Sequence, residues 1–349
     1  MTTASHILVF RFSALGDVAM TVPVLKNLLQ QNPSLEISVV STPFVKPLFD
    51  DIPRLHFYGI DLNKYKGLTG LYRLSQKTKK EIHFEAVADL HDVLRTKLLR
   101  FFLSEKKTAV IDKGRKEKKE LTRAHNKILR PLKTGFQRYA DVFIRLGLPL
   151  ILDQLGGTKK LIADKSLLPF QNDNVLLVGL APFAKHNAKM YPLQKMKEAM
   201  NLLLKDKRIR ILLFGTKAES TRLADWMSGK EDSACFMAGR LDFARELNVI
   251  SQLDIMLSMD SANMHLASLY GVPVVSVWGG THPYTGFTGW GQDDDYIIQT
   301  DLPCRPSSVF GDKDCPVHGP AGCMQEISPE MIAQKVFSVV GRNRPGLQG

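Results

Sequence analysis

Apolar runs of strand length recur along this chain, separated by amphipathic stretches of helical length, and that alternation restricts the fold more than any other property. The runs are His6 to Arg11, Ile37 to Ser41, Ala86 to Leu90, Ala109 to Ile111, Leu176 to Leu180, Ile209 to Phe214, Ile255 to Ser258 and Val272 to Trp278. Buried strands that alternate with helices build parallel sheets wrapped in helices, an α/β architecture. The pattern lapses between Leu150 and Asp173, where Gly156, Gly157 and Pro169 stand among polar residues. With 349 residues to divide, the lapse predicts two domains, residues 1–160 and 161–330, and a terminal segment 331–349 that carries most of a last helix, from Pro329 to about Val340.

Two polar turns follow strands, and open parallel sheets place ligands at the carboxyl ends of their strands. After the first run, Phe12-Ser13-Ala14-Leu15-Gly16-Asp17 reads as a tight loop and Val18 to Gln31 as an apolar-periodic helix. Gly16 suits a left-handed turn or a close backbone approach. Asp17 falls at the helix N-terminus, either as a cap or as a group that faces a ligand. A single glycine does not make the G-x-G-x-x-G fingerprint, which argues against a dinucleotide dehydrogenase. In the second half, Asp260-Ser261-Ala262-Asn263-Met264-His265-Leu266-Ala267 lies between two apolar runs. Asp260 and Ser261 can cap a helix there, and its first N–H groups with the positive end of the dipole suit a phosphate. His265, four residues after Ser261, shares that side of the helix, while its neighbours Met264 and Leu266 suit a core histidine equally well.

The net charge of +12 is uneven: from Glu105 to Arg138 there are twelve Lys and Arg against four Asp and Glu. Such a run is either a solvated face or an anion-binding surface. It has few aromatic residues for base stacking and matches no nucleic-acid module, so nucleic acid is not the expected partner. Anionic lipid head groups or phosphorylated sugars suit the field better, each cation adding roughly 1 kcal/mol near a charged membrane. No apolar run reaches the length of about 18 residues that a membrane span needs. The N-terminus lacks the basic and apolar regions of a secretory signal. The expected location is therefore cytoplasmic, with peripheral contact at the inner face of the inner membrane.

Taken in order, five short motifs resemble glycosyltransferase family 9, the lipopolysaccharide heptosyltransferases, over most of the chain. The family's K/R-x-S-S/A-x-G-D loop is matched by Arg11-Phe12-Ser13-Ala14-Leu15-Gly16-Asp17, and its D-S/T-G/A-x-x-H-x-A run by Asp260-Ser261-Ala262 with His265 and Ala267. Between them, Asp89-Leu90-His91 with Arg95-Thr96 is similar to the family's D-L-Q/H…R-S/T. Gly215 with Glu219 is similar to its glycine-rich strand end and acid. Gly179-Leu180-Ala181-Pro182 with Lys189 and Tyr191 is similar to its turn, lysine and aromatic, although Trp is the commoner aromatic. The resemblance implies a GT-B fold, two Rossmann-like domains with parallel sheets facing a central cleft, the first for the acceptor and the second for the nucleotide sugar. It also implies a last helix that crosses back onto the first domain.

The chemistry implied is an inverting, metal-independent transfer, most simply of heptose from ADP-heptose, onto an anionic lipid-linked saccharide of the lipopolysaccharide core. Asp17 is the expected base. Lys189, Pro182, Asp260, Ser261, Ala262, His265 and Glu219 are expected around the donor, with Glu219 either on a ribose or in the first turn of a helix. Arg11, Ser13, His91 and Arg95 are the acceptor candidates, and Arg11, His91 and Arg95 could instead pair with Asp89 or Asp92. With a lysine and a helix N-terminus on the diphosphate, charge balance requires no metal, and no cofactor is expected besides the donor substrate. Asp293-Asp294-Asp295 reads as a solvated turn rather than a metal motif. Another GT-B activity remains as the alternative: a different sugar transferase, an epimerase, or a silent sugar-nucleotide binder.

Three of the four cysteines fall late, as Cys304, Cys315 and Cys323, with His318 close by. Three thiols and an imidazole are a zinc donor set. The spacing is irregular, and Ser307 stands where relatives often complete a C-x-x-C with Cys304, so the expectation is a loop with free thiols.

Overall fold

The computed structural model describes residues 5–170 and 175–343. Residues 171–174, where the expected break ends, and 344–349 of the expected tail lie outside the described residues. The chain divides into two compact units, the first comprising Met1–Gly114 and Lys133–Gly157, the second Arg115–Leu132 and Thr158–Gly349.

The first unit holds five parallel strands, β1 (His6–Phe10), β2 (Glu36–Ser41), β3 (Leu55–Gly59), β4 (Ala86–Asp89) and β5 (Lys107–Val110), in the order β3-β2-β1-β4-β5. Ile7, Leu8 and Val9 are wholly buried, as a central parallel strand with both faces covered demands. On one face Leu8, Phe10, Val40 and Val87 share a core with Leu71, Leu74, Leu99 and Leu103 from the flanking helical segments. Strand order reverses between β1 and β4, so the loops that follow these two strands diverge and leave a place for a ligand at their carboxyl ends.

The second unit holds β6 (Leu176–Ala181), β7 (Ile209–Leu213), β8 (Ala234–Phe236), β9 (Ile255–Met259), β10 (Val274–Val277) and β11 (Ile297–Ile298), all parallel, in the order β11-β10-β9-β6-β7-β8. The reversal here falls between β6 and β9. Val178, Leu180, Ile255, Leu257 and Val275 pack in one core with Met196, Met200 and Leu203 of the Leu193–Leu203 helix.

Two expectations need correction. The domains are not the continuous spans 1–160 and 161–330, because Arg115–Leu132 belongs to the second unit. The reason is local: Lys118 is buried with its ammonium 4.5 Å from the centre of the Phe287 ring, Lys127 donates to the Pro306 carbonyl at 3.0 Å, and the Leu132 amide donates to Tyr284 at 3.0 Å. The last helix, Pro329–Asn343, buries Ile332, Ala333, Val336, Val339 and Val340 in the second unit's core. Asp295 of the exposed acidic turn pairs with this helix through Lys335 at 3.1 Å and Arg342 at 2.6 Å. Finally, the first helical segment starts early, as Leu15–Ala19 followed by Thr21–Gln31, so Gly16 is right-handed inside a helix and Asp17 is its third residue.

Candidate active site

In the first unit the two loops at the sheet reversal are joined by Arg11, which follows β1. Its side chain is buried, and one guanidinium nitrogen donates to the Leu90 carbonyl beyond β4 at 2.7 Å while the other reaches Asp17 Oδ2 at 2.7 Å. The Ala14 amide also donates to Asp17 Oδ2, at 3.4 Å, and the Tyr139 hydroxyl donates to the Asp17 backbone carbonyl at 3.3 Å. Asp17 Oδ1 makes no hydrogen bond among the described residues, and the side chain is 30% exposed. The carboxylate is thus held by one oxygen and open at the other, the arrangement a general base needs.

The other acceptor candidates separate. Arg11 pairs with neither Asp89 nor Asp92; those carboxylates are taken by Arg100, at 3.0 and 3.4 Å. Arg11 is buried against Asp17 and the Leu90 carbonyl instead. His91 is buried as well and accepts from the Phe12 amide through Nδ1 at 3.5 Å. Burial, and then the charges of Arg11 and Lys113, push its pKa down to about 4, so the ring is neutral and free to accept. Ser13 is exposed and Arg95 partly so.

In the second unit the loops after β6 and β9 meet through Lys189 Nζ and Asp260 Oδ2, 2.8 Å apart. The same oxygen accepts from Thr281 Oγ1 at 2.8 Å. Asp260 is therefore committed to this pair and does not cap the Ala262–Leu269 helix. Ser261 occupies the N-cap position in an extended conformation, yet its hydroxyl lies 3.2 Å from Ser258 Oγ and makes no cap bond. The helix begins with amide donors that no capping side chain occupies, beside a lysine, at a strand-order reversal. Pro182 is buried in the turn after β6, and His265 is buried in the helix.

Glu219 stands in a helix first turn, one of its two expected places: its Oε2 accepts from the Thr216 amide at 2.7 Å in a capping box that starts the short Lys217–Ser220 helix. Tyr191 is fully buried and donates to the Ile327 carbonyl at 2.7 Å, so the aromatic at this position belongs to the core.

Gly279, Gly280, Thr281 and His282, which follow β10, escaped the sequence reading. The Gly280 amide donates to the Ala188 carbonyl at 2.7 Å, and a Cβ on Gly279 would stand 2.5 Å from that oxygen. These glycines admit the Lys189 loop against the β10 turn, and a Gly-Gly pair after a buried strand was the available signal. His282 accepts from the Tyr284 amide at 3.1 Å, and burial pushes its pKa down to about 4.

The family model described as glycosyltransferase family 9 (heptosyltransferase) matches residues 71–317, well over half of the chain. The chain belongs to glycosyltransferase family 9. It is an enzyme, a glycosyltransferase of the heptosyltransferase family of lipopolysaccharide core synthesis. It is 24% identical to lipopolysaccharide heptosyltransferase 1 of Pseudomonas aeruginosa, over 86% of this chain and 85% of that protein. A family 9 glycosyltransferase from Veillonella parvula is similar in structure with a TM-score of 0.72 at 16% identity, covering 97% of each chain. The E. coli ADP-heptose lipopolysaccharide heptosyltransferase II has a TM-score of 0.68 at 15% identity, covering 97% of this chain and 99% of that one. The two parallel-sheet units of the transferase are those of the GT-B fold. The family match begins after the Arg11–Asp17 loop, so the case for Asp17 stands on its geometry and on its motif.

Proposed function

We propose that the transferase moves heptose from ADP-heptose, by inversion and without a metal, onto a lipid-linked saccharide of the lipopolysaccharide core. The carrying observation is the pairing of Lys189 with Asp260 beside the uncapped start of the Ala262–Leu269 helix. A diphosphate there would take amide donors and the ammonium together, which supplies the charge balance a divalent ion would otherwise provide. The name of the E. coli relative, an ADP-heptose transferase, supports adenine as the base. Ser261, Ala262, His265 and Pro182 line this donor role, and Glu219 joins it only by giving up its cap.

In the reaction an acceptor hydroxyl oxygen bonds to the anomeric carbon as the bond from that carbon to the diphosphate breaks. Asp17 Oδ1 takes the hydroxyl proton, and ADP leaves with the bonding electron pair. Ser13 and Arg95 are the accessible acceptor contacts. The exposed cations Lys116, Lys119, Arg123 and Arg130, next to exposed Ile128 and Leu129, favour an anionic lipid-linked acceptor at the inner face of the inner membrane. Among the described residues no helix is long and apolar enough to cross a membrane.

Calorimetric titration with ADP, UDP and GDP in the absence of divalent metal tests the donor. Selective binding of ADP is expected; preference for UDP or GDP would remove heptose from the reading, and a requirement for added metal would remove the metal-free diphosphate site.

A further inference from the structure

We propose that Cys304, Cys315, His318 and Cys323 form a structural zinc site that fastens the 300–324 loop beneath the Gly279–Thr281 turn. The four residues come from three separate stretches of the loop, and their ligand atoms lie within 4.8 Å of one another. Cys304 Sγ is 3.4 Å from His318 Nδ1 and 3.8 Å from Cys323 Sγ, and Cys315 Sγ is 3.6 Å from the same imidazole nitrogen. Zn–S and Zn–N bonds of about 2.3 and about 2.05 Å at tetrahedral angles give edges of about 3.8 Å between sulfurs and about 3.6 Å between sulfur and nitrogen. The three close separations match these edges, and the widest needs about 1 Å of side-chain closure to do so.

The backbone is arranged to present these groups. Cys315 and His318 stand three apart on a turn closed by the Gly319 amide, which donates to the Cys315 carbonyl at 2.9 Å, with Gly319 left-handed at φ +70°. The His318 amide donates to Cys315 Sγ at 3.4 Å, a bond that suits a thiolate. A Cβ on Gly322 would stand 2.4 Å from that of His318, so glycine there lets the Cys323 turn close upon the imidazole. Cys315 and Cys323 are buried, Cys304 is half-buried and His318 closes the outer side; all four cysteines of the chain are free thiols.

Charge completes the argument. Three thiolates, a neutral imidazole and Zn²⁺ carry a net charge of −1. Arg305, next to Cys304, is 2% exposed, and its guanidinium donates to the Trp278, Gly279, Thr281 and Thr300 carbonyls and to Gln299. A buried cation with only neutral hydrogen-bond partners is costly without an anion close by. An anionic zinc–thiolate centre supplies one, and Lys127, fixed on the Pro306 carbonyl, adds a second cation to the same loop. Through Arg305 the centre would hold the turn that carries Thr281, the partner of Asp260.

Elemental analysis of the purified full chain should give one zinc per chain, unchanged in Cys235→Ser and lost in Cys304→Ser and Cys323→Ser. Because a buried substitution can fail to fold, the outward-facing His318→Ala provides a second arm, with circular dichroism as its folding control: it should fold and bind zinc at least tenfold more weakly. Cobalt substituted into chelator-treated wild type should show the intense visible bands of tetrahedral thiolate ligation, and zinc should slow modification of the loop thiols. A chain that neither contains zinc nor takes up cobalt would overturn the proposal. So would an intact mass two hydrogens low, reporting a Cys304–Cys323 disulfide, or zinc that persists in His318→Ala and Cys304→Ser alike.

Discussion

The two strand-order reversals carry the same device with opposite polarity. Each carries an ion pair, Arg11 with Asp17 inside the loop after β1, where Arg11 also reaches the Leu90 carbonyl beyond β4, and Lys189 with Asp260 between the loops after β6 and β9. In the first the cation is buried and the acid exposed, 8% against 30%; in the second the acid is buried and the cation more exposed, 5% against 16%. One fold thus presents a carboxylate from one sheet and an ammonium from the other. In the proposed transfer the carboxylate would take the proton and the ammonium would bind the diphosphate, each fixed by its buried partner.

The largest effect should come from removing the exposed acid. Asp17→Asn keeps the shape and one acceptor oxygen but cannot take a proton, so kcat should fall about a hundred- to ten-thousand-fold. The ADP dissociation constant, read by calorimetry, should stay unchanged. Transfer at a normal rate in this variant would end the assignment of Asp17 as the base. Arg11→Lys should cost less, since the charge remains while the planar fork that holds both Asp17 and the Leu90 carbonyl is lost. A fall in kcat with little change in either KM would mark Arg11 as a positioning residue; a selective rise in acceptor KM would make it an acceptor contact instead.

At the other reversal, Lys189→Ala removes a charge-assisted bond of about 1.5–3 kcal/mol and should weaken ADP about ten- to a hundredfold. It also leaves Asp260 buried without its cation, so the melting temperature should fall. Adding Asp260→Asn separates the two consequences: the double variant should recover stability but not ADP affinity. Recovery of both would mean that Lys189 serves the fold and not the donor.

What the sequence allowed was placement. Arg11, Lys189 and Asp260 follow strands whose unbroken apolar runs betray burial on both faces, and those strands flank the reversals. Three of the four edge strands were not legible: β3 is largely solvent-facing, and β8 and β11 have three and two residues, too few to show a period. Partner choice was not legible either. Arg11 had Asp89 and Asp92 as nearer readings than Asp17, and only the folded loops show that Arg100 takes both. Within the basic segment Lys118 was not legible for a related reason, because composition counts it as a solvated charge while the fold lays it over the Phe287 ring. The irregular cysteine spacing likewise hid a cluster that forms only when a left-handed Gly319 and the Cys323 turn fold the loop upon itself.

The smallest effect asks which reversal yields first to acid. His91 belongs to the first and His282 to the turn beside the second, and burial holds both near a pKa of about 4, against 6.5 for a free ring. The unfolded chain takes up these protons as pH falls through 6.5, whereas the folded chain resists until about 4. The contribution is therefore complete above 6.5 and is lost progressively on descending to about 4, by about 1 kcal/mol for each ring once solvent access is allowed for. His91→Gln and His282→Gln should each flatten the fall in melting temperature across that window without abolishing it. If only His91→Gln does so, the loop bearing the base is the acid-sensitive end; if neither does, the carboxylates rather than these rings govern acid unfolding.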